Sequence, residues 1–223
     1  MNIDQLMRER HSVRKYYNHN IEEDKVKILS ERITEINSTH GLHMQLVLND
    51  PESFAKFPLK YGRLDAYHYV AVVGNKKDKA LEGKCGYYGE ELVFLAQELG
   101  LNTCWLALSF SKKHLKISIG EDETLVAVIA IGYGLNQGVA HKCKKPEEVS
   151  NVTPSSPEWF AKGVEYALLA PTAINQQKFS LTLLEDGKVQ LKKGIGPCVD
   201  IDLGIVRWHF EQGAGKQNFL WKE

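Results

Sequence analysis

Residues 169–177 read Leu-Ala-Pro-Thr-Ala-Ile-Asn-Gln-Gln, and far upstream residues 10–14 read Arg-His-Ser-Val-Arg. The later stretch follows an apolar helical run and offers turn backbone with carboxamide side chains. The earlier one places two guanidinium groups and a hydroxyl within five residues, a set that gives a phosphate both charge and directed hydrogen bonds. Alone, Arg10–Arg14 reads more readily as a solvated helix end with Ser12 as its cap. A fold that joins the two stretches turns them into one site.

Outward from these anchors the apolar spacing sets the elements. Ile3, Leu6 and Met7 mark a short helix, and Ile21, Val26, Leu29, Ile33 and Ile36 a longer one. Leu42–Leu48 and Tyr67–Val73 read as paired strands, and the polar stretch between them, Asn49–Asp65, as a lid or surface excursion. Gly89–Leu99 predicts a buried helix that Gly100 ends, with Gly83, Gly86 and Gly89 serving a turn and a helix start. Leu125–Ile131 fits a central strand. A Thr, Ser and Pro-rich connection at Asn151–Pro157 precedes a second series: helix Trp159–Leu169, strands Phe179–Leu184 and Val189–Lys192 around an Asp186-Gly187 turn, and helix Asp202–Phe210. Gly41–Leu48 answers Gln177–Leu184, which suggests an internal duplication.

With 28 basic and 28 acidic residues in 223, the chain presents no global field for nucleic acid or an anionic membrane. Its first residues lack an apolar signal core, and no window approaches the roughly 18 apolar residues of a spanning helix. A soluble, cytoplasmic protein is expected, its four dispersed cysteines reduced. Gly132-Tyr133-Gly134 and Gly138 follow a strand, but Lys142–Pro146 leaves no room for the helix that a dinucleotide fingerprint must open. The pair His40 and His43 lacks nearby carboxylates or thiolates, so no metal is expected. The absence of a G-x-S-x-G elbow removes a serine hydrolase.

Five segments in order carry a resemblance: Arg10-His11-Ser12-Val13-Arg14, Gly89–Trp105, Lys142-Cys143-Lys144-Lys145-Pro146, Leu169–Gln177 and Asp202–Glu211. They resemble the FMN-dependent nitroreductase family, and specifically its subfamily of single-chain, internally duplicated members, over nearly the whole chain. The resemblance implies an α+β fold, a nitroreductase-like three-layer α/β/α sandwich with a mixed, mainly antiparallel sheet. It would be built as an intrachain pseudo-dimer of residues 1–150 and 151–223. The ordinary family carries its P-S-S-x-N segment soon after the R-x-S-x-R motif; here that early slot, Asn37–His40, has lost the pattern and the later Leu169–Gln177 keeps it.

On this resemblance Arg10, Ser12, Lys142 and Lys144 would hold the FMN phosphate, with His11 assisting. Arg14 would lie by the pyrimidine edge, where a fixed cation stabilises the charge left by hydride transfer, making it the catalytic candidate. Pro171, Thr172, Ala173 and Asn175 would pack on or bond the ring from the other half, and Gln177 would orient the turn. Ala107-Leu108 stands where the family often has Gly-Gly near flavin N5, and Lys178 replaces a proline. The implied activity passes hydride from NADH or NADPH through FMN to a small acceptor such as a nitroaromatic or quinone, in a monomer sufficient for one site, whatever its further assembly. Alternatives are an FMN-binding sensor or storage module without turnover, and a relic of the fold that binds no flavin.

Overall fold

The computed structural model describes residues 2–55, 64–107 and 114–222. Helix α1 (Ile3–Glu9) starts under the Asn2 side chain, which accepts from the Gln5 N–H at 2.8 Å. Helix α2 (Glu23–His40) follows and leads to strands β1 (Gln45–Val47) and β2 (His68–Asn75), with the one-turn α3 (Glu52–Ala55) between them. Helix α4 (Leu81–Glu98) then crosses the sheet, and β3 (Asn102–Leu106) and β4 (Glu123–Gly132) complete it. The sheet order is β1-β2-β4-β3, with every neighbouring pair antiparallel.

Period-2 alternation along β2 divides the core in two. Val70 and Val72 join Leu92, Val93 and Phe94 of α4 on one face. Tyr69, Ala71 and Val73 meet Val13, Tyr16, Phe54 and Leu64 on the other. Because both faces are covered, β2 reads as an unbroken apolar run. Among the described residues the second face is closed by chain segments and α3 rather than by long helices, which departs from the expected sandwich.

After the one-turn α5 (Pro146–Val149), the chain forms α6 (Glu158–Leu168), the hairpin β5 (Phe179–Leu183) and β6 (Val189–Lys193), and α7 (Val199–Ala214). Apart from the one-turn α3, the helix, strand, strand, helix order of α2, β1, β2 and α4 occurs again in α6, β5, β6 and α7. The hairpin makes its own two-stranded sheet and turns at Gly187, whose φ of 79° favours glycine. Phe160, Val164, Ile205, Val206 and Phe210 fill the space between α6 and α7. No helix among the described residues is long and apolar enough to cross a membrane.

Two expectations are corrected here. Helix α4 begins at Leu81 rather than Gly89, so Gly83, Gly86 and Gly89 lie inside it. Glycine disfavours a helix in isolation, but here it lets α4 and α7 pass backbone against backbone. A Cβ on Gly86 would lie 2.1 Å from the Ile201 carbonyl oxygen, and one on Gly204 would lie 2.1 Å from that of Gly83. Residues 102–106, for which the spacing predicts no strand, form β3 because β4 offers them an edge.

Gly86→Ala should therefore destabilise the fold by about 1–3 kcal/mol, the usual cost of overpacking. An unfolding midpoint in urea equal to that of the parent protein would show that α4 and α7 do not approach this closely.

Candidate functional site

The N-terminal arm leaves α1 at Arg10 and lies along β3. Ser12 bridges Thr103 in parallel, and the Val13 N–H donates to the Thr103 carbonyl at 2.9 Å. This is an isolated parallel bridge at the edge of a sheet whose strands all pair antiparallel, in place of the mixed sheet expected. It also runs the arm and β3 in the same direction, towards Arg14 and Ala107. Arg14 is exposed and Ala107 half-buried, while Leu108 lies outside the described residues.

Arg10 is 5% exposed. Its Nη2 donates to the Leu169 carbonyl at 3.3 Å, and its Nε lies 3.9 Å from Glu90 Oε1, beyond hydrogen-bond length. That Nε is buried without a partner. The sequence reading expects a guanidinium turned out as a grip; the structure turns it inward, between the α4 carboxylate and the turn of the second half. Burial lowers the Arg10 pKa, opposed by the Glu90 charge, yet an Arg side chain stays cationic.

The segment after α6 is held in an unusual shape. Ile174, Asn175 and Gln177 have φ of 48°, 54° and 46°, a left-handed conformation that costs a side-chain-bearing residue of order 1 kcal/mol each. Gln177, buried, ties it down. Its Oε1 accepts from the Lys144 N–H at 2.8 Å, and its Nε2 donates to the Lys142 carbonyl and to Asn175 Oδ1, each at 2.9 Å. Its N–H donates to Thr172 Oγ1 at 3.0 Å. Asn175 Nδ2 also donates to the Lys142 carbonyl, and Lys144 Nζ donates to the Gln177 carbonyl at 2.8 Å. From α7, Asp202 accepts from the Ala173 N–H at 2.9 Å and from Gln176 Nε2 at 2.7 Å.

Arg10, His11, Lys142, Lys144 and the turn through Thr172, Ala173, Asn175 and Gln177 are thereby gathered from three distant stretches. His141 donates from Nε2 to the Leu168 carbonyl at 2.9 Å. Burial and then the Arg10 charge hold His11 below the usual imidazole pKa; burial likewise lowers His141, against its bond to Leu168. Pro171, Thr172 and Ala173 are half-buried and Asn175 is exposed. Arg14 and Ala107 lie farther along the arm and β3, and among the described residues neither bonds to the turn. The Lys144 ammonium serves the Gln177 carbonyl, so it is a strut of the turn in this structure.

Sequence reasoning missed the buried partner of Arg10. Glu90 is wholly buried, and its Oε2 accepts from Trp105 Nε1 at 2.7 Å while Oε1 meets His209 Nε2 at 2.8 Å. The available signal was an acidic residue at helical spacing from Gly86, Val93 and Phe94 on the apolar face of α4. As a donor set, one buried guanidinium with an unpartnered Nε, an imidazole close enough to feel its charge, a serine two residues along the arm and an exposed lysine have the chemistry that a phosphate monoester such as that of FMN takes.

A family model described as "Putative TM nitroreductase" matches residues 2–214. A "putative nitroreductase" of Thermotoga maritima is 22% identical with a TM-score of 0.69, over 96% of this chain and 83% of that one. An FMN-dependent nitroreductase of Clostridium difficile R20291 is 18% identical with a TM-score of 0.51, over 63% of this chain and 92% of that one. A "putative nitroreductase" of Desulfovibrio desulfuricans in complex with FMN is 16% identical with a TM-score of 0.52, over 70% and 99%. At these identities the likeness is one of fold. No curated protein matches the chain.

Asp202 gives this region a pH signature. Burial, opposed by the Gln176 and Ala173 bonds, raises its pKa from 3.8 to about 6. The folded chain then holds this proton more tightly than the unfolded one, so the contribution of Asp202 to stability falls as pH rises from about 4 to about 6, by of order 2 kcal/mol. Asp202→Asn should flatten that part of the stability profile, measured by denaturant unfolding at several pH values. An unchanged slope would assign the carboxyl an ordinary pKa.

Proposed function

This chain belongs to the nitroreductase family described as "Putative TM nitroreductase", and on that premise we propose that it is an FMN-dependent oxidoreductase. FMN held by this chain would supply hydride and electron transfer between NADH or NADPH and a small acceptor such as a nitroaromatic or a quinone. The residues named above divide the work of holding it.

Arg10, with Ser12, His11 and the exposed Lys142, binds the phosphate, and Lys144 braces the turn beside it. Arg14, exposed farther along the arm, would face the pyrimidine edge of the flavin, where its fixed charge would stabilise negative charge. Pro171, Thr172, Ala173 and Asn175 flank the ring, in a shape that Gln177 and Asp202 fix. The backbone at Ala107 would donate near the reacting edge; Leu108, the other residue expected there, lies outside the described residues. In this reading residues 151–223 supply what a partner subunit supplies elsewhere, so residues 1–150 and 151–223 form one site within one chain and a monomer suffices. The carrying observation is the bond from Arg10 Nη2 to the Leu169 carbonyl at 3.3 Å, which sets the arm of the first half against the turn of the second.

The reading is tested first by titrating the purified chain with FMN and recording the bound flavin spectrum. One equivalent per chain is expected, and anaerobic NADH or NADPH should bleach it rapidly. Bound flavin that is never bleached would make the protein a flavin sensor or store; no uptake of FMN would end the proposal.

Arg10→Ala should weaken FMN binding by about 1.5–3 kcal/mol, the range for a hydrogen bond to a charged group. Equal affinity in the variant would remove Arg10 from the phosphate site.

A further inference from the structure

Four elements converge on Glu90, and hydrogen-bond chemistry fixes the number of protons among them. His209 Nδ1 lies 3.1 Å from the Tyr166 carbonyl, which can only accept, so Nδ1 carries a hydrogen. Its Nε2 lies 2.8 Å from Glu90 Oε1. Two lone pairs would repel at that distance, so one proton sits between them, on the imidazole or on the carboxyl. The other oxygen of Glu90 accepts from Trp105 Nε1. In either arrangement the Glu90 and His209 pair has no net charge.

Arg10, 3.9 Å from the same carboxylate oxygen, is therefore left with its full charge, although it, Glu90 and His209 are all buried. The groups packed around the imidazole are Glu90 of α4, Arg10 of the arm, the Tyr166 carbonyl of α6 and the rings of Phe94 and Trp208. Glu90 is the one acid among them. A buried cluster with one unbalanced positive charge is costly by itself and favourable beside an anion.

We propose that His209 reserves the charge of Arg10 for the phosphate of FMN: by sharing a proton with Glu90 it prevents that carboxylate from neutralising the guanidinium. His209 is thus a positioning and charge-setting residue that touches neither ring nor phosphate. The proposal rests on the assignment of Arg10 to the phosphate.

The test compares affinities of the full chain for FMN and for riboflavin, which has the ring without the phosphate. His209→Gln keeps a donor towards Glu90 but removes the shared proton, leaving a carboxylate to neutralise Arg10. The FMN-to-riboflavin affinity ratio should fall about tenfold or more, the scale of one buried unit charge nearby, with riboflavin affinity unchanged. The double variant Glu90→Gln, His209→Gln should restore the ratio, because Arg10 again stands alone. Glu90→Gln by itself should keep a ratio near that of the parent protein, so the proposal stays testable even if His209→Gln does not fold. A ratio unaltered by His209→Gln, unrestored in the double variant, or lost in Glu90→Gln would overturn the proposal while leaving Arg10 at the phosphate. A parent protein that binds FMN no better than riboflavin would remove the phosphate assignment itself, and the proposal with it.

Discussion

The close passage of α4 against α7 is the constraint on which the other arrangements depend. Glycines at 86 and 204 remove the side chains that would hold these helices apart, bringing backbone to within van der Waals reach of backbone. Helix α7 then carries His209 to Glu90 and Asp202 to the turn after α6. Its packing on α6 through Phe160, Val164, Val206 and Phe210 fixes where α6 ends, and the end of α6 is where Arg10 finds the Leu169 carbonyl. A single helix contact thus joins the two halves of the chain and aims the second half at the first.

That junction is polar at its centre. Glu90 and His209 are wholly buried and Arg10 nearly so, and such groups are tolerated in a protein interior when each finds partners. Glu90 receives Trp105 and His209; Gly89 makes room for the indole, since a Cβ there would lie 2.3 Å from Trp105 Cη2. The turn at 172–177 shows the same economy in backbone form. Three residues with side chains in the left-handed region store strain, offset by the bonds of Gln177 and Asp202. Strain persists here because several independent ties over-determine the turn.

Family membership and these contacts bear on different questions. The family model covers residues 2–214 and fixes the kin of the chain. The FMN-dependent nitroreductase of Clostridium difficile is spanned almost whole, 92%, by 63% of this chain, so the remainder is additional to that architecture. Within this fold α7 closes over α4, and the end of α6 delivers the turn to the arm.

From the residues alone the helices and strands were legible wherever one periodicity dominated: Leu29, Ile33 and Ile36 in α2, the apolar runs of β2 and β4, and the Asp186-Gly187 turn. The two stretches of the candidate site were legible too, because an arginine cluster and a proline-amide turn have recognisable chemistry. What the sequence could not express was the helical state of Gly83–Gly89, whose propensity argues against a helix until α7 requires a small residue at 86 and the Trp105 indole one at 89. Nor could it show the strand at 102–106, which needs β4 as neighbour, or the inward turn of Arg10. That last feature follows from Glu90, Leu169 and His209, residues up to about 200 positions away along the chain. Local spacing determined the elements and the candidate ligands; the tertiary structure alone decided which charges are buried together, because burial and pairing depend on neighbours that the linear order does not place.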